Sequence, residues 1–318
     1  MLILLKNIIH FVKINSVLMF KKYVSLTMLL SLFAVHSVKA ESVAFTNNGI
    51  YYELDTEAKT AAVTEGAQAY VGDVIIPEVV TYDGEAYSVQ SIGDYAFYND
   101  SQLTSVSLPN SVISIGANAF ARCAELTEIV FPQNLQIIGF QAFQYCSKLE
   151  MVEIPASVTS IGGSAFADCD KFTAFQVAPE NDFYSSYYTG VWGLYSKDLS
   201  ELIAVPCGAT GEFVVSEAVH TLSYGAFDGC DYLTKVVIPS SISYIDDYAF
   251  ANCSGLTNVV IPASVDSLGN LVFNECTNLE TVSFLGATPP AAIDLSNIFI
   301  GCPNLTTINV PEGSAENY

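Results

Sequence analysis

Residues 103–125 read LTSVSLPNSVISIGANAFARCAE, residues 126–148 LTEIVFPQNLQIIGFQAFQYCSK and residues 149–171 LEMVEIPASVTSIGGSAFADCDK. Aligned, they are one unit: each opens on Leu, carries Pro at its seventh position and nears its end with A-F-x-x-C. Two more copies start at Leu233 and Leu256, an irregular copy at Leu279 and a partial one at Leu305. Val89 to Phe97 matches the second half of a copy. As a result Phe97, Phe120, Phe143 and Phe166 stand 23 residues apart, as do Phe227, Phe250 and Phe273. An interval of this size marks a solenoid of stacked supersecondary units, with a long repetitive surface and little room for a catalytic pocket.

Within a copy, L-x-x-V-x-I alternates like a strand with one buried face, here Leu103, Val106 and Leu108. Pro109 ends that strand, because it cannot donate to a ladder. Val112 and Ile115 mark a second short extended piece, and Gly116 permits the bend after it. Ala119 and Phe120 predict a short helical turn closing the coil. One copy cannot bury its apolar set alone, so neighbours must stack.

The unit A-F-x-x-C-x-x-L-x-x-V-x-I-P resembles the BspA-like branch of the leucine-rich-repeat family, over most of residues 41–318. Its Asn/Cys position sits before the strand, not inside L-x-x-L-x-L-x-x-N. The resemblance implies a right-handed leucine-rich-repeat superhelix, β-rich with short helical turns and 23-residue coils. It also implies surface adhesion, with extracellular or host-matrix proteins or other cells as partners. It further implies a tail that runs beyond Tyr318, the stop here leaving a thinly capped last coil.

Residues 1–40 read as a secretory signal: Lys21 and Lys22, an apolar run from Val24 to Val35, and Val38-Lys39-Ala40 as the cleavage site. Residues 19–40 are complete as a signal by themselves, so translation is expected from Met19. Glu41 rather than Cys follows, which offers no lipid anchor, and no later stretch approaches the ~18 apolar residues of a membrane span. The chain is expected to be exported, to the cell surface, the medium or the periplasm. The leader holds five of the eleven basic residues and no acid, leaving six basic against thirty-three acidic residues, a net −27. That balance argues against nucleic acid and anionic membranes; it suits solubility, basic partners or divalent cations.

Cys123, Cys146, Cys169, Cys230, Cys253, Cys276 and Cys302 share one repeat position. Stacked coils lie about 5 Å apart, within bridging range, but equivalent side chains point in parallel, which is poor disulfide geometry. The family resemblance implies a buried ladder of free thiols, in keeping with the apolar character of unpaired Cys. Cys207 alone stands off this position, in the loop Pro206-Cys207-Gly208, as a half-buried loop cysteine or a reactive thiol. Without C-x-x-C, and with His220 the only histidine after the leader, no metal site or other cofactor is expected.

Residues 41–70 do not repeat and are expected to cap the solenoid, GIYYELD and TAAV forming a hairpin. Residues 71–318 form the solenoid; residues 71–102 are a degenerate first coil with Asp100 in the ladder position. Between 172 and 232 the rhythm breaks, Phe166 and Phe227 standing 61 residues apart, two repeats plus fifteen. VWGLYS and ELIAVP there predict a hairpin around Lys197-Asp198.

Two surfaces are candidates for binding. The aromatic cluster of the interruption, Phe183, Tyr184, Tyr187, Tyr188, Trp192 and Tyr195, supplies contact area at low entropic cost or stacking planes for glycan; the bland reading is that the rings cover a bent coil. The outward strand positions form the other: Glu128, Val130, Met151, Glu153, Lys235, Val237, Asn258 and Val260, on a ribbon roughly 40 Å long at ~4.8 Å per strand. Catalysis finds little support, since one histidine excludes most triads and no G-x-S-x-G, P-loop or G-x-G-x-x-G is present. The expected function is non-enzymatic binding, by adhesion or protein–protein contact; the alternative is a glycan-binding or envelope-scaffold role of the aromatic interruption.

Overall fold

A computed structural model describes residues 42–290 and 295–318; the expected leader and its start at Met19 lie outside the described residues. The chain forms a β-solenoid with the 23-residue repeat as its coil. Each regular coil contributes two strands to two parallel columns. The first holds the L-x-x-V-x-I segments, such as Leu103–Ser107 and Glu128–Ile129, paired Ser105 to Glu128 and Val106 to Ile129. The second holds Ser114–Ile115, Ile137–Ile138 and Ser160–Ile161, in register with Ile115, Ile138 and Ile161 aligned. Leu103, Val106, Val112 and Ile115 all point inward and are buried.

The third side of the coil, expected as a helical turn, is not helical. Its alternate amides donate to the next coil: Asn118 to Phe140, Phe120 to Ala142 and Arg122 to Gln144, at 2.7 to 2.9 Å. The amides between them bond three residues back. This alternation needs left-handed backbone twice per turn, at Asn118 (φ 54°) and Arg122 (φ 67°) and again at Gln141 and Tyr145. A helix would direct every amide along its own axis; here half of them join coil to coil. Among the described residues the one helix is Leu295–Ile298.

Inside the triangle the recurring letters stack. Phe97, Phe120, Phe143 and Phe166 lie ring on ring at 4.9, 5.1 and 5.3 Å, within 6° of parallel. The thiols run beside them: Cys146 donates to Phe120 O at 3.2 Å, Cys169 to Phe143 O at 3.1 Å and Cys253 to Phe227 O at 3.0 Å. The same Phe carbonyl accepts the amide three residues later in its own coil. Cys thus supplies a donor to a buried carbonyl at the volume of a small apolar group, and all eight cysteines are free thiols. Asp100 occupies this position in the first coil, where burial pushes its pKa up to about 6.

At the amino-terminal end, strands Ser42–Asn47, Ile50–Asp55 and Thr60–Thr64 form a meander. The last two make a hairpin registered from Tyr51–Thr64 to Asp55–Thr60, and Thr60–Thr64 continues the second column by pairing parallel with Glu85–Ile92.

The interruption rewires the columns. The first column's strands Met151–Ile154 and Ala174–Val177 lead through Trp192–Ser196 and Glu201–Ala204 into the second column at Thr221–Leu222, Tyr244–Ile245 and Ser267–Leu268. The core divides at the same point, one cluster ending at Leu194 and the next beginning at Tyr195. The 61 residues form one long coil and one near-regular coil, because Val205 takes the Phe position. It lies 39 residues after Phe166 and 22 before Phe227, and its amide donates to Ala226 O as a ladder Phe would.

Candidate functional site

The outward rows of the first column form one exposed surface. Glu128, Val130, Met151, Glu153, Lys235, Asn258 and Val260 are exposed there, and Val237 is half-buried. Val130 is 76% exposed and lines a shallow groove of about 370 Å³ with Ser105, Glu128 and Gln133. Lys235 pairs with Glu212 of the preceding coil at 3.3 Å. Both side chains are half exposed, so this pair stabilises little.

The interruption is pinned by a residue that sequence reasoning passed over. Asn181 is fully buried; its amide donates to Pro155 O (2.7 Å) and Val158 O (3.0 Å), and its Oδ1 accepts from the amides of Phe183 and Tyr184 (2.8 Å each). All four polar valences of the side chain are used, which fixes the start of the aromatic segment against the previous coil. The strand Tyr184–Tyr188 then pairs antiparallel with Trp192–Ser196, from Tyr188–Trp192 to Tyr184–Ser196. Trp192 is also the parallel partner of Ala174 in the first column. Ala174 faces outward beside inward Phe175, so Trp192 belongs to the outward row.

The two candidate surfaces are therefore one. Trp192 (48% exposed) and Tyr188 (57%) lie side by side at 5.3 Å, next to the row of strand-face residues. Beside them Tyr187, Tyr188 and Thr189 form one wall of a groove of about 400 Å³ whose other wall is Val214, Ser216, Glu217 and Val237.

Two of the proposed contact residues are engaged in packing instead. Tyr195 is fully buried, its ring over Gly193 and edge-on to Tyr187 at 5.9 Å. Tyr184 is half-buried and its hydroxyl accepts the Ile161 amide at 3.0 Å. In regular coils that amide faces the next strand of the second column; Tyr184 supplies the acceptor where the column is interrupted. Both belong to packing: Tyr195 lies covered beside Gly193 and Tyr187, and Tyr184 stands at the anchored end of the hairpin.

Cys207 is fully buried, not half-buried. It is 1% exposed and reaches Phe166 O at 3.6 Å and Asp228 O at 3.3 Å. Phe166 O is the acceptor that the next ladder Cys would use, so Cys207 fills the column between Cys169 and Cys230. Burial pushes the Cys123 and Cys169 thiols well above their ordinary range, which removes the thiolate that reactivity needs.

On the turn side the Phe166 and Phe227 coils meet directly. Gly225 and Gly229 hold the two left-handed positions, where any side chain would meet Ser164 and Asp168. Asp228 accepts from Ser164 (2.7 Å) and Asn252 (2.9 Å), and Gln144 donates to Asp168 (3.1 Å). Burial, then the Asp228 charge, pushes Asp168 up to about 7. These carboxyls face polar side chains inside a seam, Ser164 and Asn252 at Asp228 and Gln144 at Asp168. Among the described residues no group of three His, Cys, Asp or Glu is placed to hold a metal ion, and no helix is long and apolar enough to cross a membrane.

A search of curated proteins finds no match. Among solved structures, a leucine-rich repeat protein from Eubacterium ventriosum matches at 23% identity over 84% of this chain and 78% of its own, with a TM-score of 0.59. The pneumococcal vaccine antigen PcpA matches at 18% identity over 84% of this chain and 87% of its own, with a TM-score of 0.52. At these identities the likeness establishes the fold. The BspA type leucine rich repeat region matches in six copies, over residues 86–189 and 206–317. That family is generally non-enzymatic and built for repeat-based binding, and the two matched blocks part around the interruption. With its 23-residue coils, Phe and Cys ladders and this match over most of its length, the chain belongs to the BspA-type leucine-rich-repeat family.

Proposed function

We propose that the chain is exported on the leader of residues 1–40 and acts without catalysis as a binding protein at the cell surface. Its partner is an extracellular-matrix protein or the surface of another cell. The observation that carries this reading is the fusion of the aromatic interruption with the strand face. Trp192 and Tyr188 stand in the outward row, and a groove joins Tyr187 and Tyr188 to Val214 and Val237. Tyr and Trp are among the residues most enriched in protein-binding hot spots. A second reading, glycan binding, is favoured by the paired exposed rings of Tyr188 and Trp192.

The test is a binding survey of the purified protein against matrix proteins, intact cells and glycans. Saturable binding to a matrix protein or to cells, lost on converting Trp192 and Tyr188 to Ala, supports adhesion. Binding restricted to glycans moves the reading to the second. Absence of any saturable binding at micromolar concentration rules out both, and protease accessibility on intact cells decides the surface location.

A further inference from the structure

The first column begins twice. At its start, Gly72–Ile75 opens with Gly72 at φ +68°, a register shift between Gly72 and Asp73, and the Gly72 amide donating forward to Gln102 O. Gly211–Val214 repeats this arrangement: Gly211 at φ +78°, a shift between Gly211 and Glu212, and the Gly211 amide donating forward to Tyr232 O. The sequences agree, GDVIIPEVV at 72–80 against GEFVVSEAV at 211–219. A strand that starts a ladder has an unpaired edge behind it. Among the described residues, Gly211–Val214 pairs with Leu233–Val237 alone.

The direction of the open edge follows from the ladder. Val215 donates to Val237 O, so by alternation Phe213 also faces that side, while the N–H and C=O of Glu212 and Val214 face away. They face the side of the hairpin tip, and the groove of about 400 Å³ lies there. Val214 is 48% exposed at its mouth. Unlike the edge at Gly72, this one lies inside the chain, with the preceding coil described in full.

We propose that this edge is a strand-addition site for an extended segment of a protein partner, carrying an aliphatic side chain beside Lys or Arg. The proposal rests on the binding function above and names the chemistry of its partner. Strand addition takes affinity from main-chain hydrogen bonds and selectivity from side-chain pockets. Here the pocket walls are Tyr187, Tyr188, Val214 and Val237, which suit an aliphatic anchor, and Glu217 at the rim suits a cation. A second copy of this chain is disfavoured, since each carries a net charge of −22, or −27 once the leader is removed.

The experiment uses the purified protein and a fluorescein-labelled nonapeptide of alternating valine and threonine with lysine at both ends, read by anisotropy. Two control peptides accompany it: one N-methylated at alternate amides, one with glutamate ends. Val214→Pro deletes an amide that faces away from the 233–237 strand, leaving that pairing intact. Saturable binding of the parent peptide, weakened about tenfold or more by N-methylation and by Val214→Pro and lost with glutamate ends, is expected. Should Val214→Pro fail to fold, the N-methylated peptide on the unaltered protein decides. No saturable binding of the parent, or equal binding of the N-methylated peptide, overturns the proposal. Matrix or cell binding that survives Val214→Pro sinks strand addition alone; absence of all binding by the unaltered protein sinks the function on which it rests.

Discussion

The Phe143 coil and the long coil between Phe166 and Val205 do the same structural job by different means. In the Phe143 coil the amides of Gln141, Phe143 and Tyr145 donate to the next repeat, and the ring lies between Phe120 and Phe166 at 5.1 and 5.3 Å. In the long coil single side chains replace ladders: Asn181 binds two carbonyls and two amides, and Tyr184 takes the Ile161 amide. Repetition distributes stability over many equal contacts. The interruption concentrates it in a few residues and thereby frees a hairpin to present Tyr188 and Trp192 outward.

The largest expected effect lies in the regular half. Phe143→Ala removes a ring from the middle of a stack and should cost about 3–5 kcal/mol in denaturant unfolding. Asn181→Ala should cost about 2–4 kcal/mol, unusual for one polar residue, because four backbone groups lose their partner in a buried place. A cost below about 1 kcal/mol would show that the long coil does not depend on its anchor.

A smaller effect concerns pH. Burial holds Asp100 at about 6 and Asp168 at about 7, against roughly 4 in the unfolded chain. A raised carboxyl stabilises the fold while protonated; its contribution is whole below pH about 4 and is lost as pH climbs through the folded value. The thermal midpoint should therefore fall between pH 5 and pH 8, and Asp168→Asn should flatten that fall. An unchanged slope in this variant would place the seam's carboxyls in water.

The thiols give the most direct likeness between the two regions. Cys207 in the long coil and Cys146 in a regular one are both buried and both donate to backbone carbonyls. Both should resist an aromatic disulfide reagent in the native protein and react in denaturant, with half-buried Cys302 the first to yield. Fast native labelling at Cys207 would return it to the surface.

Coil length, both strand columns and the buried faces were legible because Leu103, Pro109, Phe120 and Cys123 each mark a position that the regular copies fill with the same residue. The turn side was not. Its left-handed positions hold Asn118, Arg122, Gln141 and Tyr145, residues of no common type, and only the bonds between coils impose that conformation. Cys207 hid in the ladder because V-P-C replaces F-x-x-C with one residue fewer. Trp192 was marked as unusual by its rarity, but its place in the outward row depends on pairing with Ala174, eighteen residues away and outside any local pattern. Tyr195 carried the same aromatic signal as Tyr188, and only its place at the base of the hairpin, over Gly193, buries it while Tyr188 at the tip stays exposed.

The division of labour between coils is tested most directly by one double variant, Trp192→Ala with Tyr188→Ala, followed by thermal unfolding and by binding to whichever matrix protein or cell the unaltered chain captures. An unchanged thermal midpoint with binding lost is expected, since both rings face outward. A large fall in the midpoint, or binding retained at full strength, would contradict it and make the aromatic interruption a packing device like the coils around it.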